Sequence, residues 1–280
     1  MDLLRFVAAA SLAFIPATAL AQDTAPEASK FDGDYLTVGA AGVYGPSYEG
    51  SDDYVLSPVP VVQGRIAGIG ISPRQGGLAL DLIPDARGER IGFALGPVAR
   101  YSRNRHGRIE DPVVRAAGKL KDAVDVGASA GVAVRGLLNP YDSLSLSADV
   151  MWNVNKAHRG MIVTPGISYL TPLSKGALAT VGVSARHVDD DFADYYYGVS
   201  PAQSLASGLP VHSAHGGWAR ATASALVGID FNGNLLDGGF AGFAIASYSR
   251  LLGEARRTPY TAIRGDADQW RIGLGLGYTF

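Results

Sequence analysis

The residue types that could support nucleophilic catalysis in this chain are its serines, its acidic residues and five histidines. The histidines are His106, His158, His187, His212 and His215. A catalytic serine needs a histidine within hydrogen-bond reach. Only His187 falls on a predicted strand, and period-two alternation places it on the face opposite Ser184 and Arg186. This pattern favours a protein that is not an enzyme, with no catalytic residues and no cofactor.

A second set of candidates is the charged side chains at alternating positions of amphipathic segments. Apolar residues occupy one face of these segments, so the charged residues share the other. The candidates are Arg100, Asp125, Arg135, Asp149, Arg186, Arg220, Asp230 and Arg271. Two interpretations stay open. The charges pair across a nearly closed interior, because unpaired charges in a confined space are costly, or the arginine excess selects anionic solutes in a narrow pore.

Two long segments between strands carry opposite charge. Residues 188–216 contain four aspartates and no lysine or arginine, whereas residues 102–123 have a net charge of +3. The aspartates are Asp189, Asp190, Asp191 and Asp194, and three tyrosines follow them, Tyr195, Tyr196 and Tyr197. One hypothesis is that the two segments meet as a lid, although charged loops are usually just solvated. Consecutive acids lack the ligand spacing of a calcium loop, so no metal site is predicted. We expect the tyrosines to be buried against the rest of the protein.

The last twelve residues show most clearly which elements position these groups. One face of residues 269–280 is apolar, with Trp270, Ile272, Leu274, Leu276, Tyr278 and Phe280. The other face carries Gln269, Arg271, Gly273, Gly275, Gly277 and Thr279. Aromatic residues near both ends match interfacial girdles about 25 Å apart on a membrane-spanning strand.

The same alternation recurs in residues 124–136, 143–153, 161–171, 177–187, 219–231 and 238–252. It is weaker in residues 35–44, 55–63, 65–72, 77–83 and 91–101, where glycine and proline blur the register. The segments give about twelve strands, with about ten or about fourteen as alternatives. Unpaired amides in hydrocarbon are costly, so the sheet must close. The sequence therefore predicts an all-β fold, a transmembrane antiparallel up-and-down β-barrel.

The lengths of the connections give this barrel an orientation. The long connections, at residues 45–54, 102–123, 188–216 and 253–267, all fall on one side, which we expect to be extracellular. The short ones fall on the periplasmic side, around Gly64 and at residues 84–89, 139–142, 172–176 and 232–237.

The first residues read as an export signal. Residues 1–21 have a short apolar core, a break at Pro16 and a small-residue cleavage site, too short for a membrane-spanning helix. We expect a flexible periplasmic tail over residues 22–34 and the barrel over residues 35–280. The absence of cysteine excludes a lipoprotein anchor and disulfides. The net charge of −2 gives no sign of a nucleic-acid partner.

Two sequence motifs go beyond periodicity. Residues 45–54 read GPSYEGSDDY, followed by PVP at residues 58–60 and GR at residues 64–65. Residues 197–204 read YGVSPAQS, followed by SGLP at residues 207–210. Both motifs resemble those of the OmpV family, also called the MltA-interacting protein family, in the same order and spacing.

This resemblance implies a protein of the outer membrane of a Gram-negative bacterium. It implies a scaffold for murein-synthesising and murein-degrading enzymes, and the alternatives are a narrow porin-like channel or, more distantly, a lipid-modifying hydrolase. The expected partners are outer-membrane lipid and lipopolysaccharide, the barrel-assembly machinery through the strand ending in Phe280, and a murein transglycosylase or polymerase in the periplasm.

Overall fold

The computed structural model describes residues 29–84 and 89–280. Over these residues the chain forms a closed barrel of twelve antiparallel strands, in which each strand pairs with its sequence neighbours and the last pairs with the first. The strands are β1 (Tyr35–Pro46), β2 (Tyr54–Ile66), β3 (Ile69–Arg74), β4 (Gly77–Asp81), β5 (Ile91–Ser102), β6 (Ala123–Arg135), β7 (Ser143–Asn153), β8 (Met161–Ser174), β9 (Ala177–Val188), β10 (Gly217–Asp230), β11 (Gly239–Leu251) and β12 (Asp268–Thr279). The predicted fold class and strand number are confirmed.

The strands form because their side chains alternate with period two. On β12 the apolar residues are exposed on the outside, and the intervening glycines face the interior. Outward-facing aromatic residues cluster at two levels of the wall. One level contains Tyr44, Tyr54, Tyr101, Trp152, Trp218, Tyr248 and Trp270, and the other contains Phe93, Phe231, Phe240, Tyr278 and Phe280. These two levels correspond to the two girdles of a membrane-spanning barrel.

The end of the barrel opposite the chain termini, called the outer end, is covered by folded connections. Their helices are α1 (Pro112–Ala116), α2 (Asp190–Tyr197), α3 (Pro201–Ser207), α4 (Gly253–Arg257) and α5 (Pro259–Ala262). Side-chain caps begin the first three, because Asp111, Asp189 and Ser200 accept hydrogen bonds from helix N–H groups. The outer cap is defined as residues 47–53, 103–122, 189–216 and 252–267. One buried apolar cluster lies within it, and a second lies where it meets the barrel wall. No helix in the described residues is long and apolar enough to cross a bilayer.

The structure differs from the sequence expectation at two local places. The expected flexible tail of residues 22–34 is ordered from residue 29, where Ser29 caps a 3₁₀ helix at Lys30–Asp32 and the Lys30 N–H donates to the Leu236 carbonyl. The predicted signal peptide and residues 22–28 lie outside the described residues. The turn expected around Gly64 lies at residues 67–68 instead, because Ala67 and Gly68 both adopt the positive φ of a tight hairpin turn.

Candidate functional site

A buried carboxylate from the outer cap lies among the lumenal arginines. Glu49 Oε2 accepts hydrogen bonds from Arg186 Nη1 at 2.9 Å and from Arg220 Nη1 at 3.1 Å. Glu49 Oε1 accepts one from the hydroxyl of Tyr197 at 2.6 Å. Arg220 Nη2 also donates to Gln75 Oε1 at 2.9 Å, from the turn between β3 and β4. These five residues form the Glu49 cluster, which ties β9 and β10 to the β3–β4 turn across the outer part of the lumen.

The environment of Glu49 keeps it ionised. Burial alone would raise the pKa of Glu49, but Arg186, Arg220 and the hydroxyl of Tyr197 outweigh it and lower the pKa to about 2. Burial raises the pKa of Tyr197, and the Glu49 carboxylate adds to that effect, so Tyr197 keeps its proton and donates it. Arg271 adds a weaker attraction to Glu49. The cluster is thus a hydrogen-bonded ion group and not a free anion-binding surface.

A second ionic group lies where β6, β7 and the 154–160 connection meet. Asp125 accepts from Arg100 Nη2 at 2.8 Å and contacts His158 Nε2 at 2.7 Å. His158 Nδ1 accepts the N–H of Gly160 at 3.1 Å, so the ring proton is on Nε2 and is donated to Asp125. Both nitrogens of this buried histidine are engaged, which leaves none to activate a serine.

The remaining predicted lumenal residues occupy different levels of the barrel. Asp149 pairs with Arg74 of β3 at 2.8 Å, and Arg74 Nη2 also donates to Ser129 at 3.2 Å. Asp230 organises the 231–238 turn by accepting backbone N–H groups. Arg135 lies at the opposite end of the barrel from the cap, where Nη1 donates to the Glu89 carbonyl at 3.4 Å.

The two oppositely charged connections meet over the barrel through tyrosines of the acidic segment and Arg105 and Lys121 of the basic one. The hydroxyl of Tyr195 bonds to the backbone of Lys121, and Arg105 Nη1 donates to the Tyr196 carbonyl at 3.4 Å. The Arg105 guanidinium is buried over the Tyr260 ring, 3.7 Å from its centroid.

The four aspartates of the acidic connection have mainly local roles. Asp189 begins α2 and also accepts the Met161 N–H at 2.7 Å. Asp190 accepts the Gly216 N–H, while Asp191 and Asp194 are exposed. No group of acidic and histidine side chains in residues 29–84 and 89–280 has the geometry of a metal site.

Strand periodicity did not identify four residues that complete these groups. They are Glu49, Arg74, Gln75 and His158. Glu49 lies inside the GPSYEGSDDY motif, so the motif was the available signal for it. The others lie on short strands, at strand ends or in turns, where alternation carries no information.

A closed twelve-strand barrel with two aromatic levels and a folded outer cap is the architecture of an outer-membrane-type β-barrel protein. A family model described as MltA-interacting protein MipA matches residues 38–280, and the chain belongs to this family. The predicted family is confirmed.

The solved structures with a similar fold are remote in sequence. The KdgM porin is 10% identical, with 87% of this chain and 99% of that chain covered and a TM-score of 0.36. An outer membrane channel from Pseudomonas putida F1 is 13% identical, with 92% and 100% covered and a TM-score of 0.38. The toluene transporter TodX of Pseudomonas putida is 8% identical, with 89% of each chain covered and a TM-score of 0.37. No curated protein matches the chain.

Proposed function

We propose that this protein is an outer-membrane scaffold whose barrel is closed to solutes at its outer end and which binds a murein enzyme at its periplasmic end. The observation that carries the proposal is the Glu49 cluster beneath the outer cap, since paired, buried charges replace a water-filled constriction. With the outer end closed, the periplasmic end is the surface available for binding another protein inside the envelope. The description of the family as MltA-interacting supports a murein transglycosylase as the partner.

The best candidate contact surface is the periplasmic turn at residues 136–142. The carboxylate of Asp142 accepts the N–H groups of Leu137 and Leu138 and the hydroxyl of Tyr169. Burial opposes ionisation, but these hydrogen bonds hold the pKa of Asp142 below its usual value. The ordered turn displays Leu138, 84% exposed, and Tyr141, 60% exposed. Preorganised leucine and tyrosine side chains are suitable anchors for a protein partner.

The binding test is capture of murein-hydrolase activity from solubilised envelopes on the immobilised, refolded barrel. Replacing both anchors, Leu138→Ser with Tyr141→Ser, removes about 2 kcal/mol or more of contact energy and lowers the captured activity roughly tenfold or more. The matched control is Leu205→Ser, because Leu205 is 90% exposed on α3 at the opposite end. Equal capture by all three proteins would reject the turn as the contact surface, and no capture by the unaltered protein would reject the scaffold.

A gated channel is the second candidate, favoured by the exposure of inward-facing Gln63, Ser72 and Ser147 below the cap. Single-channel recording separates it from the scaffold. We expect no openings from the unaltered protein and discrete openings from Glu49→Gln, because the neutral side chain no longer holds Arg186 and Arg220. Openings in the unaltered protein would instead favour the channel.

The strand ending in Phe280 supports two further parts of the proposal. The Phe280 N–H donates to the Leu36 carbonyl at 2.9 Å, so the last residue helps join β12 to β1. We assign this strand as the signal for the barrel-assembly machinery, and the exposed apolar outer wall as the surface for outer-membrane lipid and lipopolysaccharide.

A further inference from the structure

The wall of the barrel is incomplete beside β2. This strand pairs with β1 along its whole length, from Tyr54 to Arg65. Its pairing with β3 covers only three positions at the periplasmic end, from Gly64 to Ile66. Within the part of the chain that the structure describes, residues 54–63 therefore have no strand partner on that side.

This unpaired edge lies at the depth of the bilayer core. Tyr54, at the outer end of β2, contacts the ring of Tyr44 in the outer aromatic level. Ile66, at the other end, precedes the periplasmic hairpin turn. The outward side chains between them are Leu56, Pro58, Pro60 and Val62. The edge is thus in contact with hydrocarbon, where unpaired amides are costly.

The sequence of β2 reduces that cost at the positions that face the edge. Peptide groups alternate along a strand, and Ile66 bonds toward β3 as the residue flanking the hairpin turn. Residues 58 and 60 are an even number of positions from Ile66, so their peptide groups point to the open side as well. Both are proline and have no N–H to leave unpaired. The Leu56 carbonyl, also on this side, accepts a hydrogen bond from Arg108 of the outer cap.

Contacts inside the lumen hold the neighbouring hairpin away from β2. Beyond Ile71, β3 continues through Pro73 to Arg74, whose guanidinium is bound to Asp149 and Ser129 on β7 and β6. The following Gln75 is held by Arg220 of β10. The gap thus has two causes. β3 ends at Arg74, so at this register it could reach no further along β2 than Val61, and the inward hydrogen bonds hold residues 72–74 away from residues 61–63.

The inner wall behind the gap has an apolar stretch between Ser57 and Gln63 of β2. Val59 and Val61 face inward on β2 beside Ala41 and Gly39. On the neighbouring part of the barrel wall, the side chains of Val43 and Ile245 lie close to the lumenal side of Gly273, and the Phe243 ring covers Gly275. Val59 is 36% exposed although it faces the interior. An apolar surface that opens toward hydrocarbon fits an alkyl chain, for which polar lumenal walls would be unsuitable.

We propose that the space between β2 and β3 is a lateral opening that admits an alkyl chain from the bilayer to the inner wall formed by Val59, Val61, Val43, Ile245 and Phe243. The chain belongs to a membrane lipid or to a free amphiphile, which offer the same chemistry. The opening is lateral, so it is compatible with a closed outer end.

The chain has no cysteine, which permits a direct test with single labelled cysteines. A fluorophore is placed at Val59→Cys, at outward Leu56→Cys and at inward Ser147→Cys on the far wall. The refolded proteins are reconstituted in vesicles whose lipids carry bromine on the acyl chain, a short-range quencher. A second arm uses unbrominated vesicles with an added brominated fatty acid. Faster migration of unheated protein on denaturing gels verifies that each barrel is folded.

We expect the label at Val59 to lose its fluorescence as the label at Leu56 does, while the label at Ser147 responds only to a water-soluble quencher. Quenching in the lipid arm alone assigns a membrane lipid, and quenching in the fatty-acid arm alone assigns a free amphiphile. Both results support the opening. A label at Val59 that behaves like the one at Ser147 in both arms would overturn it. Conductance and enzyme capture are independent of this result, so the scaffold proposal stands or fails separately.

Discussion

At the scale of single residues, Glu49 has the largest expected effect in this molecule. Its carboxylate lies between two nearly buried guanidiniums, with a tyrosine hydroxyl on its other oxygen. The attraction between such charges offsets their desolvation only when the geometry is good and every partner is present. Removing one partner leaves another charge buried and unpaired. That loss of stability is larger than the net stability that the complete pair adds over a hydrophobic replacement.

The first prediction concerns Glu49→Gln. The substitution leaves Arg186 and Arg220 buried without their counter-charge and costs about 3–5 kcal/mol of the stability of the outer cap. We expect faster proteolysis within residues 189–216, measured by limited digestion of the refolded protein. Glu110→Gln is the matched control, because Glu110 is exposed in the same cap. Equal digestion of the two variants would show that the Glu49 cluster does not hold the cap.

The second prediction concerns pH. Because the pKa of Glu49 is lowered from 4.5 to about 2, its contribution to stability is complete above pH 4.5 and is lost as the pH falls through about 2. Pepsin digestion across this range should show the outer cap opening as the pH falls. Glu49→Gln should lack this component, so its cleavage should change less between the two limits. Parallel profiles for both proteins would assign the acid response to other carboxylates.

At the scale of elements, the strands depend on close backbone approaches that only glycine permits. A Cβ at Gly127 on β6 would lie 1.8 Å from the Val150 carbonyl oxygen, a backbone atom that cannot move alone. At Gly131 on the same strand, the nearest atom would be 3.0 Å away. Two glycines of one strand thus differ in the space that their neighbours leave for a Cβ atom.

The third prediction follows from this difference. Gly127→Ala should prevent correct pairing of β6 with β7, so the refolded protein should lose the fast-migrating form on unheated denaturing gels. Gly131→Ala requires a shift of only a few tenths of an ångström and should keep that form. The strand pairing of β6 would be more tolerant than the structure indicates if both variants folded equally well.

At the scale of the whole molecule, the first and last outer connections are joined by one buried side chain. Gln269 accepts the Gly50 N–H at 3.1 Å and donates to the carbonyls of Ser51 and Asp266. This places the Glu49-bearing connection against the end of the chain. The outer cap therefore depends on contacts between segments more than two hundred residues apart.

The fourth prediction is that Gln269→Leu loosens the outer cap without opening the barrel. The leucine leaves the buried Gly50 N–H and Ser51 carbonyl without this partner, at about 1–3 kcal/mol each, and also frees the partly buried Asp266 carbonyl. We expect increased cleavage in the outer cap together with a normal shift on unheated gels. Gln63→Leu is the control, since Gln63 is exposed in the lumen. Loss of the folded form itself would mean that Gln269 is needed for barrel assembly.

The sequence by itself determined the class of this protein. Period-two alternation, aromatic residues at both ends of β12 and connections of unequal length follow from local geometry and from contact with lipid, so they can be read residue by residue. For the same reason, the alternation predicted that the side chains of Arg186 and Arg220 point into the lumen. The boundaries near β2 and β3 were not, because proline and glycine interrupt the alternation there.

Only the tertiary structure decided what the lumenal charges do. Glu49 and Arg186 are 137 residues apart, and no local pattern links a loop carboxylate to a strand arginine on another part of the wall. The same holds for the gap beside β2, which the short β3 leaves open and which Arg74 and Gln75 widen by bonding across the lumen. Strand periodicity depends on neighbours along the chain, whereas closure of the outer end and the gap in the wall depend on groups that meet only when the barrel closes.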